Sequence, residues 1–223
     1  MPNIVNGVVE FKEKAYPSKK DLYEKLATGQ SPEALFITCS DSRISPNLIT
    51  QTDPGEIFVC RNAGNIVPPY SDTANGMSAS VEYASAVLKV PHIVICGHSD
   101  CGAMKGAMNP EGLSTLPHVA EWVSYSNPAV ETVNKTAGDA DEATRINMVI
   151  EQNVLLQMEN LKTHPSVADR HQAGEVIIHG WVYDIRTGAV AAYDEDTGTF
   201  LPVEERYADE LATLTQCKTA CQT

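Results

Sequence analysis

The sequence predicts an α/β fold with a mainly parallel four-stranded sheet, one added antiparallel strand and flanking helices. Short apolar runs bounded by turn-forming residues alternate with longer stretches of helical periodicity, as expected when helices connect parallel strands. No internal repeat or low-complexity linker interrupts the 223 residues, so we expect a single domain over residues 1–223. The four predicted parallel strands lie at residues 34–38, 56–60, 91–96 and 175–183.

The first half of the chain contains a predicted helical arm over residues 1–30. Apolar residues recur at helical spacing over residues 8–28, and Pro17 is expected to split this helix. Beyond the first strand, a short helix is predicted over residues 46–50, with proline in its first turn. Residues 62–72 are rich in Asn, Gly and Pro and predict a loop.

The second half of the chain is predicted to be mostly helical between its strands. Helical spacing recurs in three stretches, and the turn before residues 189–193 predicts a β-hairpin with the fourth strand. The chain is then expected to end in a C-terminal helix and tail, residues 204–223. The three helical stretches are residues 77–88, 103–108 and 116–162.

The composition excludes several classes of protein. The formal net charge of −13 disfavours nucleic acid and anionic membrane as partners, because both require a basic surface. No apolar run approaches the length of a transmembrane helix, and the N-terminus has neither the basic nor the apolar region of a secretory signal. We therefore expect a cytoplasmic protein.

The six cysteines are spread over a long chain, so a disulfide framework is not expected. Cys60 and Cys96 lie in apolar strands and are predicted to be inert core thiols. Cys217 and Cys221 are four residues apart on the predicted C-terminal helix. We favour two spare thiols over a second metal site or a redox pair at these positions.

Two polar motifs follow two of the predicted strands. The first is Cys39-Ser40-Asp41-Ser42-Arg43, and the second, Gly97 to Gly102, contains His98 and Cys101. Ligands of open α/β sheets bind at the carboxyl ends of the strands, so both motifs can meet at one edge. If the first strand stayed extended, Cys39, Asp41 and Arg43 would point to the same side.

The side chains of these motifs suit a tetrahedral zinc site. Two thiolates and one imidazole are typical zinc ligands, and three protein ligands leave a fourth position for water or for Asp41. This open position would distinguish a catalytic zinc ion from a structural one. A cysteine at a strand end is also a common core residue, so the residues alone leave both interpretations open.

The joint pattern resembles the β-class carbonic anhydrases. The resemblance covers most of the chain and includes the stretches 54–59, 61–65, 80–84 and 179–184 in addition to the two motifs. It implies a lyase that reversibly hydrates carbon dioxide to bicarbonate and a proton. It also implies that Cys39, His98 and Cys101 bind Zn²⁺.

The resemblance implies a division of roles between the metal and its neighbours. Zinc lowers the pKa of its water and so provides a hydroxide nucleophile, which Asp41 orients by accepting its hydrogen bond. Arg43 holds Asp41 through a charge-assisted pair. In a closed state, Asp41 would replace the water as fourth ligand. Because two thiolates cancel most of the zinc charge, we expect activity to be favoured at alkaline pH.

The resemblance also implies which residues bind the substrate, because each stands at the position of a pocket residue of the family. The residues that it implies for substrate binding are Gln30, Phe58, Ala63, Tyr83 and Gly102.

Three positions depart from patterns found in parts of this family. Phe36 and Thr38 stand where some members have the Trp and Gly of an inhibitory bicarbonate site, so we predict no such site. Val87 occupies the position of the proton-shuttle histidine of plant members, which leaves the shuttle unassigned. Solvated or hydrogen-bonded structural roles are expected for the remaining histidines, which are His92, His118, His164, His171 and His179.

The resemblance also implies an obligate homodimer with shared pocket residues. The N-terminal helices of each subunit would pack around the neighbouring subunit, and dimers would pair into tetramers or larger assemblies. Carboxysome or organelle stroma remain alternatives to the cytosol.

Two other functions stay open, namely hydrolysis of carbonyl sulfide or carbon disulfide and a non-catalytic zinc scaffold. Ser40 and Ser42 match the anhydrase pattern, and a scaffold would be expected to have lost Asp41 or Arg43.

Overall fold

A six-stranded sheet forms the centre of the molecule. The computed structural model describes the backbone of residues 1–220 and the side chains of residues 1–214. The sheet order is β2-β1-β3-β4-β5-β6, and the first four strands in this order are parallel. The strands are β1 (Ala34–Cys39), β2 (Ile57–Asn62), β3 (His92–His98), β4 (Ile177–Tyr183), β5 (Val190–Asp194) and β6 (Thr199–Pro202).

The fold confirms the predicted α/β class and corrects one detail of the sheet. The hairpin of β4 and β5 is antiparallel as predicted, but β6 adds a second antiparallel strand beside β5. This four-residue strand is too short to show an alternating pattern, and it forms because a turn at Gly198, with φ of +70°, folds it back onto β5.

The described part of the chain, residues 1–220, contains twelve α-helices in addition to the sheet. The predicted short helix of residues 46–50 is present, whereas the helix from Pro165 was not predicted. Two π-helical turns, Phe11–Ala15 and Tyr83–Val87, continue helices without a break. The helices are α1 (Pro2–Glu10), α2 (Tyr16–Ser18), α3 (Lys20–Leu26), α4 (Pro46–Thr50), α5 (Gly76–Glu82), α6 (Gly102–Met108), α7 (Pro117–Val123), α8 (Asn127–Ala137), α9 (Glu142–Lys162), α10 (Pro165–Gln172), α11 (Val203–Arg206) and α12 (Ala208–Ala220).

The long helix α9 packs across one face of the sheet and forms the main core there. Its Val154 and Met158 join a cluster of buried aliphatic side chains from β1 and β3. Gly97 and Gly180 allow the close approach, because a Cβ at Gly97 would lie 2.9 Å from Val154 Cγ2 and one at Gly180 would lie 2.5 Å from Met158 Sδ. The sheet therefore holds α9 directly against β3 and β4.

The opposite face of the sheet carries a smaller cluster. Phe36, Val94 and Cys96 are buried there, and the Trp181 ring lies 6.0 Å from the Phe36 ring in an edge-on arrangement. Cys96 is fully buried, and this burial raises the pKa of its thiol to about 12. Cys60 is also buried, on β2. Both thiols are therefore core residues, as predicted.

The N-terminal helices stand apart from this core. None of α1, α2 and α3 contains a buried residue, and Ile4, Val5, Val8 and Val9 are exposed. The chain is split near Pro17 as predicted, between α2 and α3. No helix in the described part of the chain is both long and apolar enough to cross a membrane.

Candidate metal centre and active site

Three side chains that could bind a metal ion meet at the carboxyl edge of the parallel strands. Cys39 is the last residue of β1 and His98 the last of β3, while Cys101 immediately precedes α6. Because β1 and β3 are parallel neighbours, their ends lie side by side. One ligand atom from each of the three residues lies within 4.8 Å of the others, and all three side chains are buried.

The donor atoms of this cluster fit a zinc ion. The Nδ1 of His98 lies 2.9 Å from the carbonyl oxygen of Ser99, which can only accept, so Nδ1 carries the hydrogen and Nε2 presents a lone pair. His98 Nε2 is buried and has no hydrogen-bond partner among the described residues. A buried lone pair beside two thiol groups is the arrangement expected at a tetrahedral zinc site.

The environment of Cys39 favours its thiolate form. The hydrogen bond from the Cys101 thiol lowers the pKa of Cys39, and the backbone N–H of Gly64 lowers it further. The Gly64 nitrogen lies 3.3 Å from Cys39 Sγ. A thiolate is the form that binds metals, so this environment favours the metal-binding form of Cys39.

Asp41 and Arg43 form a bidentate pair next to the cluster. Arg43 Nε donates to Asp41 Oδ1 at 2.9 Å, and a terminal nitrogen of Arg43 donates to Oδ2 at 2.7 Å. These hydrogen bonds hold the pKa of Asp41 well below its usual range, so the carboxylate is ionised. Asp41 Oδ2 lies 4.0 Å from His98 Nε2, which places the carboxylate beside the proposed metal position.

A turn, and not a continued strand, brings this pair together. The strand does not stay extended beyond Cys39, so the condition for three side chains pointing to the same side is not met. The backbone N–H of Arg43 donates to Asp41 Oδ1 at 2.9 Å, and that of Ile44 donates to the Asp41 carbonyl at 3.0 Å. Aspartate readily forms such local hydrogen bonds, which compete with an extended backbone. The turn therefore directs both side chains towards each other.

Two residues that sequence reasoning did not assign support this turn. Arg61 on β2 donates to the carbonyl oxygens of Cys39 at 3.0 Å and of Asp41 at 2.7 Å. Asp100 accepts from Arg43 at 2.9 Å and also pairs with Lys105. Both residues lie inside the stretches that carry the family resemblance, but only the folded chain shows which groups they contact.

The predicted substrate-binding residues are only partly brought together. The Phe58 and Tyr83 rings lie 5.9 Å apart, and Tyr83 is 44% exposed. Ala63 directly precedes the Gly64 that contacts Cys39, and Gly102 begins α6 next to Cys101. Gln30 is exposed in the loop before β1, and no hydrogen bond described for residues 1–214 connects it to the cluster.

Thr38 and three of the remaining histidines have structural contacts. Thr38 is buried and donates to the Cys96 carbonyl at 2.8 Å, while Val87 is exposed. The His92 and His179 rings lie within hydrogen-bond distance of each other, at 3.2 Å, and His164 contacts the Pro68 carbonyl at 3.0 Å. The predicted tail thiols are not placed, because the Cys217 side chain and Cys221 lie outside the described residues.

The parallel sheet and the three side chains at its edge define an α/β protein with a cluster that could hold one metal ion. Residues 34–190 match the family model described as carbonic anhydrase. A carbonic anhydrase from Pseudomonas aeruginosa is 48% identical over 205 residues, which cover 92% of this chain and 93% of the relative. One from Synechococcus elongatus is 42% identical and covers 97% of this chain and 82% of the relative.

Solved structures agree with these sequence matches. The structure of the β-carbonic anhydrase CcaA superposes with a TM-score of 0.88 and 40% identity, over 91% of each chain. A tetrameric β-carbonic anhydrase from Sordaria macrospora superposes with a TM-score of 0.75 and 30% identity, over 85% of this chain and 94% of the other. The chain belongs to the carbonic anhydrase family, in its β class.

This membership confirms the predicted family, fold class and activity. The chain is a carbonic anhydrase, and reversible hydration of carbon dioxide is the function of its family. The two alternative functions are not favoured, because the relatives and the matching structures are carbonic anhydrases.

Proposed function

We propose that Cys39, His98 and Cys101 bind the Zn²⁺ ion with which this chain hydrates carbon dioxide. The observation that carries the proposal is the unpartnered, buried Nε2 of His98 beside two thiol groups. Bound zinc would supply a Lewis acid that makes a water molecule acidic enough to act at moderate pH. The thiolate charges offset part of the metal charge, and activity is therefore expected to increase towards alkaline pH.

Asp41 is proposed to orient the attacking oxygen. Its ionised carboxylate can only accept hydrogen bonds, so it would accept one from the nucleophile and turn the oxygen lone pair towards carbon dioxide. Arg43 occupies both oxygens of Asp41, which keeps the carboxylate from turning onto the metal. This arrangement supports an open site. Release of Arg43 would allow Asp41 to become the fourth ligand in a closed state.

The substrate pocket is proposed to be completed by a second subunit. Ala63 and Gly102 adjoin the ligand cluster of their own chain, whereas Gln30 and Tyr83 are exposed and therefore available to a neighbour. Phe58 packs against Tyr83 and would enter the neighbouring pocket with it. The notion of a shared pocket agrees with the tetrameric assembly of the Sordaria macrospora relative.

The exposed N-terminal helices support the same assembly. Helix α1 carries Ile4, Val5 and Val8, which are 65%, 56% and 64% exposed in the single chain. Covering this apolar surface on a neighbouring subunit would be favourable. We propose a homodimer that pairs into a tetramer or a larger even assembly, one domain per chain, with residues 1–30 as its arm. A cytoplasmic location is proposed, with carboxysome and organelle stroma as alternatives.

Stopped-flow hydration of carbon dioxide from mildly acidic to alkaline pH, together with zinc analysis, tests the proposal. We expect about one zinc per chain and a rate that increases with pH. Cys101→Ser should lose both zinc and activity. Cys60→Ser is the matched control, since it replaces a buried thiol outside the cluster and should keep both.

Two outcomes would contradict the proposal. Wild-type protein with a full complement of zinc and no hydration at any pH would exclude the catalytic role. Full zinc content and full rate in Cys101→Ser would exclude the ligand assignment.

A further inference from the structure

The loop that follows β2 makes a direct contact with a proposed metal ligand. The backbone N–H of Gly64 donates to Cys39 Sγ at 3.3 Å. Gly64 has φ of +84°, and a Cβ at this position would lie 2.9 Å from Met104 Cε and 3.0 Å from Ala103 Cβ. A glycine is therefore required both by the backbone conformation and by the close packing against α6.

Trp122 on α7 holds the same peptide unit from its other side. The indole Nε1 donates to the carbonyl oxygen of Ala63 at 2.9 Å. The Ala63 carbonyl and the Gly64 N–H belong to one planar peptide group, in which the two bonds point in opposite directions. Fixing the oxygen therefore fixes the direction of the N–H, and hydrogen bonds in series strengthen each other.

Asn153 on α9 holds the next peptide unit. Its Nδ2 donates to the Gly64 carbonyl at 3.0 Å, and its Oδ1 accepts from Ser126 Oγ and Gln157 Nε2, both at 2.8 Å. Asn153 is completely buried. Because two donors occupy its oxygen, the amide nitrogen must face Gly64. Trp122 and Asn153 together fix both peptide planes that meet at Gly64.

We propose that Trp122 and Asn153 are positioning residues that aim the Gly64 N–H at the sulfur of Cys39. This inference rests on the proposed role of Cys39 as a metal ligand. The N–H···S hydrogen bond withdraws electron density from the sulfur and fixes its direction. It thereby sets how strongly Cys39 donates to the metal and how well the site is ordered before the metal binds.

The test compares two tryptophan variants of the full chain. Trp122→Phe keeps an aromatic ring but removes the N–H donor. Trp181→Phe is the matched control, because Trp181 donates to Tyr207 on the other face of the sheet. Each protein is loaded with Co²⁺ for the thiolate-to-cobalt absorption band, and its zinc affinity is measured by competition with a chelator.

Without the tryptophan donor, the Cys39 sulfur should regain electron density, so we expect the thiolate-to-cobalt band of Trp122→Phe to shift to longer wavelength. Because the site would also be less ordered before the metal binds, we expect about ten-fold weaker zinc binding. Trp181→Phe should match the wild type in both measurements.

A second pair of variants keeps the test decisive if Trp122→Phe does not fold. Asn153→Ala should shift the band in the same direction. Asn160→Ala is its control, because Asn160 on the same helix donates to the Val67 carbonyl at 2.9 Å and to Gln157 Oε1 at 3.2 Å, and no hydrogen bond described for it reaches Gly64. An equal shift in both asparagine variants would mean a general loosening of the loop and would overturn the inference.

An unchanged band and affinity in Trp122→Phe and Asn153→Ala would also overturn it. A wild-type chain that binds neither Zn²⁺ nor Co²⁺ would instead contradict the ligand role of Cys39. Failure of this inference and failure of the proposed function are thus distinguishable.

Discussion

Protonation of the partly buried His179 should weaken the fold in mild acid. The His179 Nδ1 lies 2.8 Å from the Tyr207 hydroxyl, and its Nε2 lies 3.2 Å from His92 Nδ1. Burial, the neighbouring His92 and the Arg206 charge lower the pKa of His179 from 6.5 to about 4. The folded protein therefore resists a proton that the unfolded chain accepts readily.

The sign and size of the effect follow from this difference in pKa. The stabilising contribution of neutral His179 is fully present above pH 6.5 and is lost as the pH falls towards 4, because the unfolded chain binds the proton first. The pKa difference predicts a loss of about 2 kcal/mol at pH 5 and a limit of about 3 kcal/mol below pH 4.

Urea unfolding of the wild type and of His179→Gln at pH 8 and at pH 5 measures this contribution. Glutamine retains hydrogen-bonding groups but does not titrate, so other acid-sensitive groups affect both proteins alike. We expect the wild type to lose about 2 kcal/mol more than the variant between these pH values. Equal losses in the two proteins would refute the assigned pKa of His179.

Three further predictions concern the site and the assembly. Arg43→Lys cannot bond both oxygens of Asp41, so stopped-flow assays should show at least about ten-fold lower kcat/KM with unchanged zinc content; an unchanged rate would contradict the role of the pair. Gly97→Ala places a methyl group 2.9 Å from Val154 Cγ2 and should lower the free energy of unfolding by about 1–3 kcal/mol; an unchanged urea midpoint would show that α9 can shift at no cost. Val8→Asp puts a charge on the apolar side of α1 and should reduce the assembly mass in light scattering, whereas an unchanged mass would exclude this helix from the interface.

The sequence predicted most of the fold because strong local signals marked its elements. The runs that became β1 and β3 are short, apolar and bounded by turn formers, and their ends carry the two motifs. The strand β6 lacked such a signal, since four residues cannot display a period. The two π-helical turns change the helical hydrogen-bond pattern only locally, so helical periodicity did not predict them.

The sequence by itself determined the chemistry of this protein. The residue types in the motifs of Cys39 and His98 predict the proposed ligands, and their positions after two strands indicate that they can meet. Only the tertiary structure decided which residues of other elements orient the side chains and peptide groups around these motifs. Arg61 and Asp100 contact the Asp41–Arg43 turn from other elements, and Trp122 contacts the loop beside Cys39 from α7. Such hydrogen bonds join residues far apart in the chain, so their existence depends on distances and directions that no local pattern encodes.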